Sequence, residues 1–400
     1  MWGREGDPTA VIPYGKHHID EEDIQAVVDV LRSGALTQGP AIEAFENAVA
    51  KYVDARYAVA VSSGTAGLHI AALAAGAGPG TSLVTSPITF VASANAALYA
   101  GARPVFADVD PDTVNMSPMK LAETLRRQRD VRVVIPVHYA GLPCDMPAIK
   151  SAADEAHAVV IEDAAHALGA RFPDGRRVGC CAHSLMTVFS FHPVKAIAAG
   201  EGGMVTTNDE AIYRKLLRLR SHGINKLDDP LQVPEQSSTD GMPNPWYYEM
   251  QELGFHYRIT DIQCALALSQ FRKLEKFIDR RLELVRRYDT LLADIRHLRP
   301  AQISGRDISG HHLYPVRIDY QSVGLSRRRL MVELKARGIV TQVHYIPVPG
   351  HPHYRKLGFR NKDYPASWGY YEQALSIPLF VDLTESQQDR VVAALKELLA

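Results

Sequence analysis

The stretch that decides the fold is Val159-Val160-Ile161-Glu162-Asp163-Ala164-Ala165-His166. Its apolar run predicts a buried strand that ends at about residue 161, and Asp163 then follows at the carboxyl end. Ligands bind along that edge in open α/β sheets, so Asp163 is a candidate ligand-binding carboxylate. The simpler interpretation is that Asp163 caps a helix that begins at Ala164.

Helix and strand signals alternate on both sides of this stretch, over about the first 210 residues. Such alternation predicts an α/β fold with a mostly parallel sheet and crossover helices. Strands are predicted at 57–61, 82–85, 103–107, 132–137, 158–161, 184–189 and 203–206, and helices at 40–52, 90–99, 118–127, 145–156 and 209–219. A further helix is predicted from the N-cap Asp20 to Gly34.

The pattern changes after residue 220. Residues 224–250 are rich in turn residues and predict a long loop, which in a compact protein is often functional or reaches a partner subunit. We predict one long helix at 260–294, then a strand at 311–319 and helices at 326–337 and 384–399. A chain of 400 residues is expected to divide, here into a large domain (1–260, with the N-terminal segment), a linking helix (261–295) and a small C-terminal domain (296–400).

Charge and hydropathy exclude several classes of protein. The formal net charge is -1, which gives no overall basic field for nucleic acid or an anionic membrane. No run of 18 or more apolar residues predicts a membrane span, and the polar start, residues 1–7, does not resemble a signal peptide. The cysteines, at 144, 180, 181 and 264, show no C-x-x-C spacing. We therefore expect reduced thiols in a cytoplasmic protein.

A phosphate site is predicted where the strand at 57–61 runs into Ser62-Ser63-Gly64-Thr65-Ala66-Gly67. The start of a helix offers free backbone amides and the positive end of a dipole, and Gly64 lets the backbone approach a ligand closely. Thr65 adds a hydroxyl. The segment matches neither a P-loop nor a dinucleotide-binding turn, so a plain helix cap is the alternative.

A lysine follows another predicted strand, in Phe189-Ser190-Phe191-His192-Pro193-Val194-Lys195. Alone, Lys195 would be interpreted as a solvated surface residue. Its predicted position near the Asp163 edge changes that interpretation, and Ser190 could bind a phosphate there. With Phe90 as an aromatic stacking partner, these residues supply the parts that pyridoxal 5'-phosphate (PLP) needs: a lysine for an imine, an acid for the pyridine nitrogen and a phosphate cradle.

The same motifs carry a family resemblance. Ser-Gly-Thr-x-x-Leu from Ser63, Pro-Ile-Thr-Phe-Val-Ala-Ser-Ala-Asn from Pro87, Glu-Asp-Ala-Ala-His, Phe-Ser-Phe-His-Pro-Val-Lys and Gly-Glu-Gly-Gly resemble the DegT/DnrJ/EryC1/StrS aminotransferases, from about Tyr14 to the C-terminus. The resemblance implies a fold type I PLP-dependent transferase, similar to aspartate aminotransferase, with a large, mostly parallel, seven-stranded sheet domain and a smaller C-terminal α+β domain. The runs at 192–195 and 36–39 favour the pseudaminic acid branch of the family.

The resemblance also implies roles for individual residues. Lys195 would form the Schiff base and is the implied catalytic residue. The implied cofactor contacts are Ser63, Gly64, Thr65 and Ser190 at the phosphate, Phe90 on the ring, Asp163 at the pyridine nitrogen and His166 near the phenolic oxygen. His256 stands where the family usually has Asn, which would reach the phosphate of the other subunit's cofactor. Thr37, His222 and Tyr345 are implied substrate-side residues.

The implied activity is transfer of an amino group from L-glutamate to the C4 ketone of a nucleotide-linked 4-keto-6-deoxy sugar, a UDP-N-acetylhexosamine derivative of pseudaminic acid biosynthesis. The alternatives are another TDP- or GDP-linked ketosugar or a cyclitol, and a non-catalytic ligand-sensing protein on the same fold. Lys195 argues against the related 3-dehydratases, which carry His at that position.

A homodimer is implied, with residues 224–258 completing the partner's site. His351 and His353 have no evident third ligand, so no metal site is expected.

Overall fold

The computed structural model describes residues 11–225 and 230–400. The polar start at 1–7 and part of the predicted loop, residues 226–229, lie outside that description. A seven-stranded sheet dominates the fold, in the order β1-β7-β6-β5-β4-β2-β3. The pairs β2–β3, β2–β4, β4–β5 and β5–β6 are parallel, whereas β7 runs antiparallel to both of its neighbours, β6 and β1.

The strands are β1 (Tyr57–Val61), β2 (Ser82–Thr85), β3 (Arg103–Phe106), β4 (Val131–Ile135), β5 (Val159–Asp163), β6 (Met186–Ser190), β7 (Gly203–Thr207), β8 (Ile224–Asn225), β9 (Ser238–Thr239), β10 (Met242–Pro243), β11 (Glu249–Met250), β12 (Leu298–Pro300), β13 (Tyr314–Ile318) and β14 (Ala374–Ile377). The helices are α1 (Glu21–Ser33), α2 (Pro40–Val53), α3 (Gly64–Ala74), α4 (Val91–Tyr99), α5 (Pro118–Arg127), α6 (Met146–Glu155), α7 (Glu210–Arg220), α8 (Asp261–Arg272), α9 (Leu274–Leu292), α10 (Tyr320–Val323), α11 (Arg327–Ala336), α12 (Pro352–Lys356), α13 (Pro365–Gln373) and α14 (Glu385–Leu399).

The large sheet is covered on both faces, which explains why its strands are largely apolar. Successive strand residues point to opposite faces, so Val133 packs in the cluster formed with α3, α4 and α7, whereas Val134 packs in the cluster formed with α2, α5 and α6. Leu83 and Val84 divide between the same two clusters. The result is a three-layer α/β/α arrangement.

A second, smaller sheet is antiparallel, in the order β12-β13-β14. Its apolar face packs with α9, α11 and α14 in a separate cluster. Ile12, near the start of the described chain, belongs to this cluster and pairs with Ile339, so the chain around Ile12 packs against the C-terminal part of the protein. Among the described residues, no helix is long and apolar enough to span a bilayer.

The structure confirms the predicted strands and helices of the large sheet but corrects two other expectations. The helix predicted at 260–294 is two helices, α8 and α9, which meet at Lys273. The segment predicted as a long loop contains short antiparallel pairs, β8 with β11 and β9 with β10, in the part that the structure describes.

Candidate active site

A cavity of about 750 Å³ opens at the carboxyl ends of β5 and β6. Its walls are the first residues of α3 and α4, the loop after β6, and the segment 342–346. The cavity is in the size range of small-molecule sites. It brings together most of the predicted site residues, namely Ser63, Gly64, Thr65, Phe90, Asp163, His166, Ser190, Lys195 and Tyr345.

The start of α3 lies very close to the strand ends of the sheet. A Cβ added at Gly64 would lie 2.9 Å from the Cβ of Ser190, and one at Gly203 would lie 2.6 Å from the backbone oxygen of Ser63. Ser63 caps the helix through a hydrogen bond that its Oγ accepts from the Ala66 amide, at 3.1 Å. The amides at the very start of a helix have no partner within it. This end of the cavity is therefore suited to an anion.

Asp163 is the last residue of β5 and is buried. Its Oδ2 accepts a hydrogen bond of 2.6 Å from Ser93 Oγ, and its Oδ1 accepts one of 3.1 Å from the Ala165 amide. The alternative of a helix N-cap is wrong, because the strand runs through Asp163 and turns follow it. Ser93 lies one helical turn after Phe90 in the motif that begins at Pro87, and its contact with Asp163 is not among the sequence predictions.

Lys195 lies in the loop between β6 and β7, where its amide donates a hydrogen bond to the His192 carbonyl at 2.8 Å. Its side chain lines the cavity with Asp163. Desolvation by the surrounding protein lowers the pKa of Lys195 to about 8, although the negative charge of Asp163 acts in the opposite direction. A lysine in this range has a substantial neutral fraction near neutral pH, as a nucleophile or a base requires.

His166 and Tyr345 form a pair beside Lys195. Their rings lie nearly parallel, with a hydrogen bond of 3.0 Å between Tyr345 Oη and His166 Nε2. Burial, and then the charge of Lys195, keep the pKa of His166 well below its ordinary value, so the imidazole is neutral. Phe90, the N-cap residue of α4, is 59% exposed and faces Tyr345 with 6.3 Å between ring centroids.

Several cavity residues were not predicted from the sequence, among them Tyr14, Ser93, Glu201, His312, Gln342 and His344. His344 is buried, and its Nδ1 lies 2.9 Å from Ser376 Oγ. Its carbonyl accepts hydrogen bonds from Tyr139 and Tyr370. Burial lowers the pKa of His344 to about 3, so this second imidazole is also neutral.

The remaining predicted residues do not line the cavity of this chain. Thr37, His222 and His256 are exposed. Thr37 pairs with Thr260, and His256 pairs with Ser221, which places the His222 and His256 rings 5.3 Å apart. These residues are thus held on the surface by short backbone pairings.

Comparisons with known proteins agree with this architecture. The family model of the DegT/DnrJ/EryC1/StrS aminotransferases matches residues 17–396. The chain is 37% identical, over 97% of each chain, to the spore coat polysaccharide biosynthesis protein SpsC of Bacillus subtilis (strain 168). Among solved structures, PseC of Helicobacter pylori, an aminotransferase involved in pseudaminic acid biosynthesis, is 28% identical with a TM-score of 0.87, covering 97% of this chain and 99% of that one. The PLP-form of Streptococcus pneumoniae Spr1654 is 28% identical with a TM-score of 0.86, covering 97% and 98%.

These matches confirm the predicted fold class, an α/β fold of the type I PLP-dependent transferases. The similarity covers nearly the whole chain in each case, so it concerns both sheets and the cavity. The chain therefore belongs to the DegT/DnrJ/EryC1/StrS aminotransferase family.

Proposed function

We propose that this protein is a PLP-dependent aminotransferase that moves an amino group from L-glutamate to the C4 ketone of a nucleotide-linked 4-keto-6-deoxy sugar. The observation that carries the proposal is that Lys195, Asp163 and the start of α3 meet in one cavity. Similarity to PseC favours a UDP-N-acetylhexosamine derivative of pseudaminic acid biosynthesis as the sugar substrate.

The residues present fit PLP. The close approach of Gly64 to Ser190 leaves room for a phosphate only because no Cβ stands there. Asp163 offers a buried carboxylate whose oxygens retain acceptor capacity beyond the Ser93 and Ala165 contacts. His166 Nδ1 is buried without a hydrogen-bond partner, as expected of an atom that faces a ligand. The existence of a PLP-form of Spr1654 supports the same cofactor.

PLP, when bound, withdraws electrons from the α-carbon of the amino donor. Asp163 would hold a proton at the ring nitrogen, and Ser63, Gly64, Thr65 and Ser190 would bind the phosphate. Lys195 would hold the aldehyde carbon and, as a neutral amine, would move the proton from the donor's α-carbon. Phe90 would cover one face of the ring.

The charges of the substrates point to a second copy of the chain. Glutamate carries two carboxylates and a nucleotide sugar carries a diphosphate, yet among the described residues that line the cavity Lys195 is the only lysine or arginine. The missing cations must then come from elsewhere, which supports a homodimer with a shared site. The segment proposed to reach the partner exposes large apolar side chains, namely Met242, Trp246, Tyr248, Met250 and Leu253. Exposed apolar surface of this kind is typical of an interface. His222, His256 and Thr37 would act from this side.

The experiment is a substrate panel. Purified protein with PLP and L-glutamate is mixed with UDP-, TDP- and GDP-linked 4-ketosugars, and formation of 2-oxoglutarate is followed. We expect turnover with a UDP-linked sugar, its loss in Lys195→Ala, and no change in the surface control Lys150→Ala, whose side chain pairs with Asp154 one turn away. Wild-type turnover in Lys195→Ala would refute the proposed function. Turnover with a TDP- or GDP-linked sugar alone would support an aminotransferase activity on a different sugar substrate. The 37% sequence identity to SpsC is compatible with that outcome.

A further inference from the structure

A histidine that the sequence motifs do not include, His312, lines the cavity beside His166. Its segment is fixed by close backbone contacts: Gly310 donates a hydrogen bond to the Gly141 carbonyl, and His312 donates one to the Ala140 carbonyl, both at 3.0 Å. A Cβ added at Gly141 would lie 2.7 Å from the His311 nitrogen. The two stretches of backbone therefore touch, and residue 312 has little freedom to move.

This placement presses the His312 ring against His166. Their ring centroids are 4.3 Å apart, nearer than any other aromatic neighbour of His166. Tyr345 stacks at 6.0 Å and Tyr139 meets the ring edge-on at 6.4 Å. The His166 imidazole is thus held between three rings, and in this orientation its Nε2 meets the Tyr345 hydroxyl.

A buried arginine fixes the other side of the same segment. Arg281 on α9 is 2% exposed, and its Nη1 donates to the carbonyls of His311, His312 and Leu379 at 3.2–3.4 Å. Burial lowers the pKa of Arg281 to about 10, and no carboxylate contributes to that shift. Burying a guanidinium whose hydrogen bonds go to carbonyl groups alone costs free energy. The hydrogen bonds of Arg281 to the 311–312 backbone are made in spite of that cost.

We propose that His312 is a positioning residue of the active site: its ring, carried on a backbone segment that Arg281 holds, sets the orientation of His166 and thereby the hydrogen bond between His166 and Tyr345. The ring acts by its shape and its exclusion of water, since His312 Nδ1 has no hydrogen-bond partner in the described structure. The inference deepens the proposed function, and it rests on that function only where it gives His166 a role in the reaction.

The neighbours of His166 explain why this imidazole should stay neutral. Lys195 faces it as a potential cation, His312 and His344 face it as imidazoles whose pKa burial lowers, and Tyr345 and Tyr139 face it as neutral hydroxyl groups. Removing the His312 ring would open space for water beside His166. Solvation favours the charged imidazolium, and a charged His166 would then repel the cationic form of Lys195.

The test uses the protein without cofactor or substrate, so that failure of the proposed function cannot affect it. His166 is titrated by NMR in the wild type, in His312→Ala and in His312→Phe, which keeps an aromatic ring but no nitrogen. We expect the His166 midpoint to lie well below the ordinary value of about 6.5 in the wild type and in His312→Phe, and to move toward that value in His312→Ala. An unchanged titration in folded His312→Ala would overturn the proposal. So would a His312→Phe variant that titrates like His312→Ala.

A second pair of variants keeps the proposal testable should His312→Ala not fold. Arg281→Met keeps the volume of the side chain and removes its donors, whereas the control Arg280→Met changes its neighbour on α9, which binds Glu283 and the Leu383 carbonyl. We expect the His166 midpoint to rise in Arg281→Met and to stay unchanged in Arg280→Met. An unchanged midpoint in folded Arg281→Met would overturn the role given to Arg281.

Discussion

At the scale of single residues, the chemistry depends on the environment of Lys195. Burial lowers its pKa to about 8, and Asp163 raises it against that trend. The neutral fraction of the amine therefore grows as the pH rises, reaching half at about pH 8 and about a tenth at pH 7.

This environment predicts the pH dependence of the reactivity of Lys195. Competitive acetylation of the cofactor-free protein, read by mass spectrometry of the Lys195 peptide, should rise roughly tenfold between pH 7 and pH 9. Asp163→Asn removes the charge that raises the pKa, so its profile should move to lower pH. Asp145→Asn, at the exposed N-cap of α6, should leave the profile unchanged. A profile centred above pH 10 in the wild type would contradict the burial of Lys195.

The sequence predicted these residues unequally. Lys195, Asp163 and Ser190 could be found because each stands at or after the end of an apolar strand, and parallel strands such as β5 and β6 end at the same edge of a sheet. Their meeting in one cavity agrees with that argument. His312 and His344 could not be found in this way, because each reaches the cavity through contacts between segments far apart in the chain, which no local period records.

At the scale of elements, the start of α3 has the strictest geometry. Gly64 stands where any side chain would meet Ser190, so the approach of helix to strand determines the size of the phosphate cradle. The helix itself tolerates alanine at this position, since alanine is the better helix former.

We therefore predict that Gly64→Ala weakens PLP binding at least tenfold. Overpacking of this kind costs about 1–3 kcal/mol, and a cost above about 1.4 kcal/mol corresponds to that loss. It also lowers the free energy of unfolding of the cofactor-free protein. Gly369→Ala is the matched control, because its Cβ would meet nothing within 4 Å on α13. PLP titration by fluorescence and thermal unfolding measure the two effects. Equal PLP affinity in Gly64→Ala and the wild type would show that the cradle lies elsewhere.

The elements of the large sheet were predictable because their apolar runs and helical periods are regular. The break at Lys273 was not, because charged, helix-favouring residues continue across it and only the packing of α8 against α1 and α2, and of α9 in the C-terminal cluster, separates the two helices. Short elements such as α10, α12 and β12 carry too few residues for a period to be recognised.

At the scale of the whole molecule, we propose the division into a large domain (1–260), a linking segment (261–295) and a small domain (296–400). The two sheets and the separate C-terminal cluster support it. Ile12 is an exception to the range of the large domain, since it lies within 1–260 but packs with the small sheet.

The proposed shared site predicts complementation between two inactive variants. Lys195→Ala lacks the lysine, and His256→Ala lacks a residue that would act on the partner's site. We expect each to lose activity alone, and a mixture that exchanges subunits to regain up to about a quarter of wild-type turnover, since half of the dimers are hybrids with one intact site. Turnover by a monomer in sedimentation experiments would contradict the shared site.

The central claim is that Lys195 carries the cofactor. Borohydride reduction of the PLP-loaded protein, followed by digestion and mass spectrometry, tests it most directly. The account predicts one pyridoxyl-phosphate group, on the peptide that contains Lys195, and none in Lys195→Ala. A label on another lysine, or no covalent label in a protein saturated with PLP, would contradict it.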